Sequence, residues 1–134
     1  MTEYQHNYIR ENVKRVNFSY RRKYDYPFYQ LLEGCSKDNS SRNNYLKKAI
    51  QYDMEHRDKK VQIPSDFFKP FPKNVQYKKQ FSVNVNKNQD AEICQFLEEM
   101  EKEMPIAYYL RYVVYKYAHH LSNLLKNIKK EVQE

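Results

Sequence analysis

Two short stretches of the chain alternate strictly between polar and apolar residues. Arg15–Arg21 reads RVNFSYR, and Gln80–Asn86 reads QFSVNVN. Alternation with a period of two is typical of a half-buried β-strand, in which successive side chains point to opposite faces. The polar side chains of both stretches are therefore predicted to face solvent. They are Arg15, Asn17, Ser19, Arg21, Gln80, Ser82, Asn84 and Asn86.

These polar side chains have the chemistry of base recognition in the major groove of DNA. Asparagine can make two hydrogen bonds to adenine, arginine can make two to guanine, and serine is adaptable. The predicted surface contains no acidic residue, and the cations Lys14, Arg22 and Lys23 lie beside it. We interpret the eight polar residues as base contacts and the three cations as phosphate contacts. The alternative is the ordinary solvent-facing side of a small sheet.

The charge of the chain favours the same interpretation. Its 134 residues include 24 Lys and Arg against 17 Asp and Glu, which gives a net charge of +7 and a pI near 9.3. A basic protein of this size most often meets nucleic acid, and less often an anionic membrane or an acidic protein. Residues 1–60 hold 13 basic and 8 acidic side chains (+5), residues 61–79 hold 4 and 1 (+3), and residues 80–134 hold 7 and 8 (−1).

The residue types give catalysis little support. A chain with one glycine has no glycine-rich phosphate loop, and it contains neither a CxxC pair nor an HExxH motif. His119 and His120 are adjacent on a predicted helix, where their side chains diverge and make a poor chelate. We expect no enzyme, no cofactor and no metal site. Cys35 and Cys94 are interpreted as small buried residues of a reducing compartment, and the lack of a long apolar run or a signal-like N-terminus predicts a cytoplasmic protein without a membrane partner.

The two alternating stretches open two halves of an internal repeat. A shift of 65 positions superposes Asp25 on Asp90, and a shift of 64 superposes Tyr-Leu-Lys at 45–47 on Tyr-Leu-Arg at 109–111. Each half predicts a strand and two helices, with Asp25 and Asp90 as N-caps of the first helix. We divide the chain into residues 1–57 (N-terminal arm and first unit), 58–79 (Pro-containing connector) and 80–134 (second unit with an extended C-terminal helix), around one shared core.

The segment NSSRNNYLKKAI, at residues 39–50, resembles the start of the second helix in ribbon–helix–helix DNA-binding proteins of the Arc, MetJ and CopG type. The resemblance implies a mainly α fold with a two-stranded antiparallel ribbon, which these proteins form by pairing two copies of the strand over four helices. Because this chain carries both copies, we expect a tandem ribbon–helix–helix pseudo-dimer within one chain. The alternative is domain-swapped pairing between two chains.

The resemblance also implies sequence-specific binding to double-stranded DNA by a transcriptional repressor or regulator of plasmid, phage or bacterial origin, associated with the nucleoid or a plasmid. Ser40, Ser41 and Arg42 would clamp a backbone phosphate at the start of the second helix. The corresponding residues 104–107, MPIA, offer neither a hydroxyl nor a cation, so we expect the first half to anchor the DNA. Alternatives are a plasmid partition protein, a relaxosome accessory protein, or a phage or plasmid inhibitor that binds a host protein.

The C-terminal helix has more apolar side chains than one core face needs. The surplus residues are Tyr108, Tyr112, Tyr115, Leu121, Leu124, Leu125 and Ile128. They predict self-association of pseudo-dimers or docking of a partner protein. The alternative is that the connector folds over them, and we expect its Phe67, Phe68 and Phe71 to pack over a flank of the core.

Overall fold

The two alternating stretches form strands that pair with each other. The structure, a computed structural model, describes residues 12–34 and 39–133, with the backbone alone at 39–41 and 129–133. Strands β1 (Val13–Ser19) and β2 (Gln80–Asn86) are antiparallel, with Val16 opposite Val83. Because the pleat alternates, the apolar residues of β2 and those of β1 from Val16 onward face inward, and the polar residues between them lie on the outer face. At the start of β1 the pattern is reversed, since Lys14 has the inward parity and Val13 the outward parity.

Two helices follow each strand. They are α1 (Tyr26–Gly34) and α2 (Asn39–Glu55) in the first half, and α3 (Ala91–Glu103) and α4 (Ile106–Gln133) in the second. In the described residues, a single turn of 3-10 helix (Ser65–Phe67) completes the regular structure. The predicted mainly α fold with a two-stranded antiparallel ribbon is therefore confirmed.

The core lies between the inner face of the ribbon and the helices. Helices α2 and α4 make the most extensive helix–helix contact. They pack through fully buried side chains at helical spacing, including Leu46, Ala49 and Ile50 from α2 and Leu110 and Val113 from α4. Each strand also packs on a helix of the other half, since β1 contacts α4 and β2 contacts α2. The two halves thus share one hydrophobic core.

The two predicted N-cap residues precede α1 and α3 as expected, but their side chains bind elsewhere. The buried Asp25 carboxylate accepts hydrogen bonds from Nε (2.9 Å) and Nη2 (2.8 Å) of Arg111 and from the Arg21 amide (2.6 Å). Asp90 makes no side-chain capping bond, and its Oδ2 lies 2.9 Å from Nζ of Lys47. The prediction of side-chain capping is wrong for Asp90, because the carboxylate pairs with a distant cation instead.

A second polar network lies in the core around Asp53, whose carboxylate is completely buried. It accepts a hydrogen bond from the Tyr109 hydroxyl (2.6 Å) and pairs with Nζ of Lys116 (2.7 Å) and with Arg57 (2.8 Å). Nζ of Lys116 also donates to the backbone carbonyl of His56 (2.7 Å). A buried charge is tolerated where its partners satisfy it, so this network fixes the register of α2 against α4.

The connector covers one flank of the core with aromatic rings. The Phe67 ring lies 5.1 Å from the Phe28 ring and 4.9 Å from the Tyr115 ring, measured between centroids. Phe71 is buried and stacks on Tyr77 at 3.9 Å. Through these contacts the connector packs over the core, as expected.

The described cysteine, Cys94, is buried on α3, and burial raises the pKa of its thiol. Its Sγ lies 3.8 Å from the backbone carbonyl oxygen of Val85 on β2. Cys35 lies outside the described residues. Cys94 therefore behaves as the small buried residue that the sequence predicts.

The two ion pairs of the predicted caps differ in burial, and this difference predicts unequal contributions to stability. Arg111→Met leaves the Asp25 carboxylate buried without its cation, which costs about 3 kcal/mol or more of the free energy of unfolding. Lys47→Met affects a pair whose side chains are 27% and 20% exposed, and it costs about 1 kcal/mol or less. Urea denaturation of both variants measures the difference. An equal loss for the two would contradict the assigned burial.

Two buried phenols predict loss of stability in alkali. Burial raises the pKa of Tyr20, helped by the charge of Glu33, and burial together with the hydrogen bond to Asp53 raises that of Tyr109. An unfolded tyrosine ionises near pH 10, so the stabilising contribution is complete below about pH 10 and falls as pH rises beyond it. Titration followed by tyrosinate absorbance should show that these two tyrosines ionise only on unfolding. Tyr20→Phe and Tyr109→Phe should each remove one, and an unchanged titration in either variant would refute the assignment.

Candidate nucleic-acid interface

The outer face of the ribbon carries a row of polar side chains from both strands. The register sets Arg15 opposite Asn84, Asn17 opposite Ser82, and Ser19 opposite Gln80. Two of these pairs are joined by hydrogen bonds: Nε of Arg15 donates to Oδ1 of Asn84 (3.2 Å), and Oγ of Ser82 donates to Oδ1 of Asn17 (2.7 Å). The structure thus brings together residues 61 to 69 positions apart in the sequence. Along the described strands this face contains no carboxylate.

The cross-strand bonds hold the row in place without exhausting its donors. Each bonded asparagine uses its carbonyl oxygen and keeps an NH2 group, and Arg15 keeps the terminal nitrogens of its guanidinium. Amide and guanidinium donors that project from a ribbon can reach the acceptor atoms of bases. The arrangement is chemically suited to reading base edges.

The remaining two predicted base contacts lie at the margins of this row. Oδ1 of Asn86 accepts hydrogen bonds from the backbone amides of Asn88 (2.8 Å) and Gln89 (3.0 Å). These bonds stabilise the turn that leads into α3, so this side chain is partly engaged. Arg21 lies beyond the end of β1 and is exposed.

Lys14 and Arg42, two of the predicted phosphate contacts, are paired with carboxylates. Lys14 has the inward parity of β1, and its Nζ lies 2.9 Å from Glu101. Nη2 of Arg42 lies 2.6 Å from Glu33, and the guanidinium sits 4.6 Å from the centroid of the Phe81 ring. A cation that is neutralised within the fold attracts a phosphate less strongly, so this geometry disfavours both residues as phosphate contacts.

The predicted phosphate clamp at the start of the second helix is described in part. Ser40 and Ser41 lie in the first turn of α2, and their side chains lie outside the described residues. In the second half, α4 begins at Ile106 directly after Pro105. The exposed Glu103 lies just before that start. A carboxylate at this place repels an anion, so the start of α4 is poorly suited to binding a phosphate.

A cluster of exposed cations lies at the end of the ribbon where β1 finishes and β2 starts. The Tyr20 amide donates to the Lys79 carbonyl at 2.8 Å and so extends the pairing beyond the strands. This contact joins two basic segments that are far apart in the sequence. The cluster consists of Arg21, Arg22, Lys23, Lys78 and Lys79.

Lys78 and Lys79 are functional candidates that the sequence interpretation missed. They stand at the end of the connector and therefore did not appear as part of a strand. The signal was available, because in an antiparallel pair the residues after one strand lie beside the residues before the other. Arg22 also contacts the connector through Nη2, which lies 3.4 Å from the Lys73 carbonyl.

The apolar surplus on α4 divides into a covered part and an open part. The Tyr112 hydroxyl accepts a hydrogen bond from the Val61 amide (3.4 Å), and Tyr115 packs against Phe67, so the connector covers both. Tyr108 is 69% exposed. The remaining four side chains are 36–60% exposed, and they are Leu121, Leu124, Leu125 and Ile128.

Comparisons with protein-family models, with curated protein sequences and with solved structures each return no match to this chain. In the ranges 12–34 and 39–133, no helix has both the length and the apolar character that crossing a bilayer requires. Over the same residues, no three His, Cys, Asp or Glu side chains gather as metal ligands. The function is therefore inferred from the chemistry and geometry of the ribbon.

Proposed function

We propose that this protein binds double-stranded DNA in a sequence-specific manner, with the outer face of its ribbon in the major groove, as a tandem ribbon–helix–helix pseudo-dimer. The observation that carries the proposal is the outer row itself. It combines amide, hydroxyl and guanidinium groups on both strands, has no carboxylate along the described strands, and ends at a cluster of cations. Base edges require hydrogen-bond donors and acceptors of this kind, and phosphates require the cations.

The dimensions of the ribbon support this mode of binding. Two antiparallel strands lie about 5 Å apart, whereas the major groove of B-DNA is about 12 Å wide and admits a two-stranded ribbon. The helices lie on the other face of the ribbon, so they leave the outer face free to approach a duplex. The cation cluster at one end lies where the backbone flanking the groove would pass.

Two features of the pairing support a pseudo-dimer. Asn17 lies opposite Ser82, and these positions are 65 residues apart, the same shift that superposes the two halves of the sequence. In a two-fold symmetric ribbon, one residue faces its own equivalent in this way. The ion pairs are reciprocal as well, because Asp25 binds Arg111 while the equivalent Asp90 binds Lys47, the equivalent of Arg111.

The two halves are not identical, and this predicts the character of the DNA site. The outward residues of β1 and β2 differ, so the preferred sequence need not be palindromic. The cation cluster draws Arg21, Arg22 and Lys23 from the first half and Lys78 and Lys79 from the connector, while Glu103 ends α3 just before the start of α4. Phosphate binding is therefore stronger on the side of the first half.

Transcriptional repression is the role we assign to such binding, because it is the common role of proteins with this architecture. A ribbon on an operator occludes the polymerase without requiring any catalytic group. Partition and relaxosome roles share the same DNA interface and differ in the target sequence. An inhibitor of a host protein would instead use the exposed side chains of α4.

Self-association along α4 is a second part of the proposal. Leu121, Leu124, Leu125 and Ile128 recur at the spacing of one helical face, and all four are exposed. Burying an aliphatic side chain contributes about 1.5–3 kcal/mol, so four per copy are enough to drive a weak association. Adjacent pseudo-dimers on DNA would then stabilise one another.

Selection of bound duplexes from a random pool, followed by titration at several salt concentrations, tests DNA binding. We expect one enriched motif and an affinity that falls steeply between about 50 and 200 mM salt, because binding releases counterions. Asn17→Ala and Asn84→Ala should relax the preference at individual base pairs by about 1–3 kcal/mol. Lys79→Ala should weaken binding to all sequences and lower the salt slope by about 1.

Lys126→Ala is the matched control, since this exposed lysine lies on the far part of α4. It should leave both affinity and motif unchanged. The absence of an enriched motif together with a shallow salt dependence would overturn the proposal and favour a protein partner.

Leu125→Glu should lower the average mass in sedimentation equilibrium towards that of one chain, because it places a charge in the apolar stripe. Asn123→Glu introduces the same charge on another part of the helix surface and should leave the mass unchanged. A wild-type protein that stays at the mass of one chain at every concentration would rule out association through α4.

A further inference from the structure

A groove with a volume of about 980 Å³ lies between the connector and the α3–α4 corner. Its walls are mainly aromatic and aliphatic. They include Tyr24, Met104 and Tyr108, together with Ile63 and Phe68 from the connector. Tyr24, Phe68 and Tyr108 are exposed here. This surface is separate from the proposed DNA interface and from the four exposed aliphatic residues of α4, which are Leu121, Leu124, Leu125 and Ile128. A groove of this size, lined in this way, is of the kind that binds small molecules.

More cationic than anionic side chains line the groove. Arg57, Lys60, Glu103 and Arg111 line it. Arg111 is neutralised by Asp25 through two hydrogen bonds. Lys60 is exposed and forms no ion pair with any residue that the structure describes.

Arg57 is only half compensated. Its partner Asp53 also pairs with Lys116 and accepts a hydrogen bond from Tyr109, so two cations share one carboxylate. The charge of Glu103 offsets that of Lys60, and the uncompensated part of the Arg57 charge remains. The groove therefore has a net positive charge beside an apolar floor. This combination complements a ligand that has one anionic group and an apolar body.

We propose that the groove binds a small amphipathic anion, a carboxylate with an apolar tail or ring system. The anionic head lies between Lys60 and the exposed part of the Arg57 guanidinium, and the body lies against the tyrosine and methionine side chains. Tyrosines offer flat apolar surface with a polar tip, which suits a body that is partly exposed. The volume lies within the range of pockets that hold molecules of drug size. The proposal does not depend on DNA binding.

Decanoate is the probe, and its binding is measured by calorimetry and by displacement of the fluorescent anion anilinonaphthalene sulfonate. We expect one molecule of decanoate per chain and clearly weaker binding of 1-decanol, which has the same body without the charge. Lys60→Gln should weaken decanoate binding about three- to fivefold, the effect of one solvent-exposed charge pair. Lys126→Gln, which removes an exposed cation from outside the groove, should have no effect.

Met104→Trp fills the groove and should abolish the displacement of the fluorescent anion by decanoate. The circular dichroism spectrum should stay unchanged. If this variant does not fold, the comparison of Lys60→Gln with Lys126→Gln still decides. Several molecules of decanoate per chain, or equal losses in the two lysine variants, would show general adsorption to a basic protein and overturn the proposal. Equal binding of decanol and decanoate would also overturn it. So would a second copy of the chain in the groove, which would be detected as a dimer mass that falls in the Met104→Trp variant.

Discussion

A ribbon of two strands has a single apolar face, and it keeps its shape in water only where other elements cover that face. Here the cover is exchanged between the halves, because β1 packs on α4 and β2 packs on α2. Val16 and Phe18 of β1 and Val83 and Val85 of β2 are all buried beneath the ribbon. Each strand therefore depends on a helix more than twenty residues away in the other half. The polar side chains on the outer face are rigid because the apolar side chains on the inner face are packed.

The sequence predicted the elements that depend on local pattern. Alternation identified both strands, and the internal repeat identified the two helices that follow each of them. The internal shift of 65 also agrees with the register, which places Asn17 opposite Ser82. Periodicity is informative here because each element has one buried face, and burial selects the residue types along it.

Interactions between distant side chains were not predicted. Asp25 and Asp90 have the right residue type for N-caps, but local preference carries no information about Arg111 and Lys47, which compete for the carboxylates. Both carboxylates bind the distant cation, because hydrogen bonds between charged groups are stronger, and Asp25 also keeps a bond from the Arg21 amide.

The candidate interface shows the same division between what is local and what is not. Its polar row follows from alternation alone, and all three pairs at its centre face outward. The cations did not follow in the same way: Glu101 and Glu33 neutralise Lys14 and Arg42, whereas Lys78 and Lys79 join the cluster only because the strands pair. The sign of a charge is visible in a sequence, but its partner depends on the tertiary fold.

The inequality of the two reciprocal ion pairs follows from the single connector. Phe68 packs on Tyr24, whose ring also lies 5.5 Å from the Arg111 guanidinium, and these rings help to exclude water from the Asp25 pair. On the side that holds Asp90 and Lys47, the described part of the chain supplies no comparable cover, and that pair remains partly solvated. In an ion pair without water, both carboxylate oxygens need a hydrogen-bond donor, and the planar guanidinium of arginine supplies two. In a solvated pair water can bind the second oxygen, so the single ammonium group of lysine is sufficient. The difference between Arg111 and Lys47 is thus what one covering segment imposes on two otherwise equivalent positions.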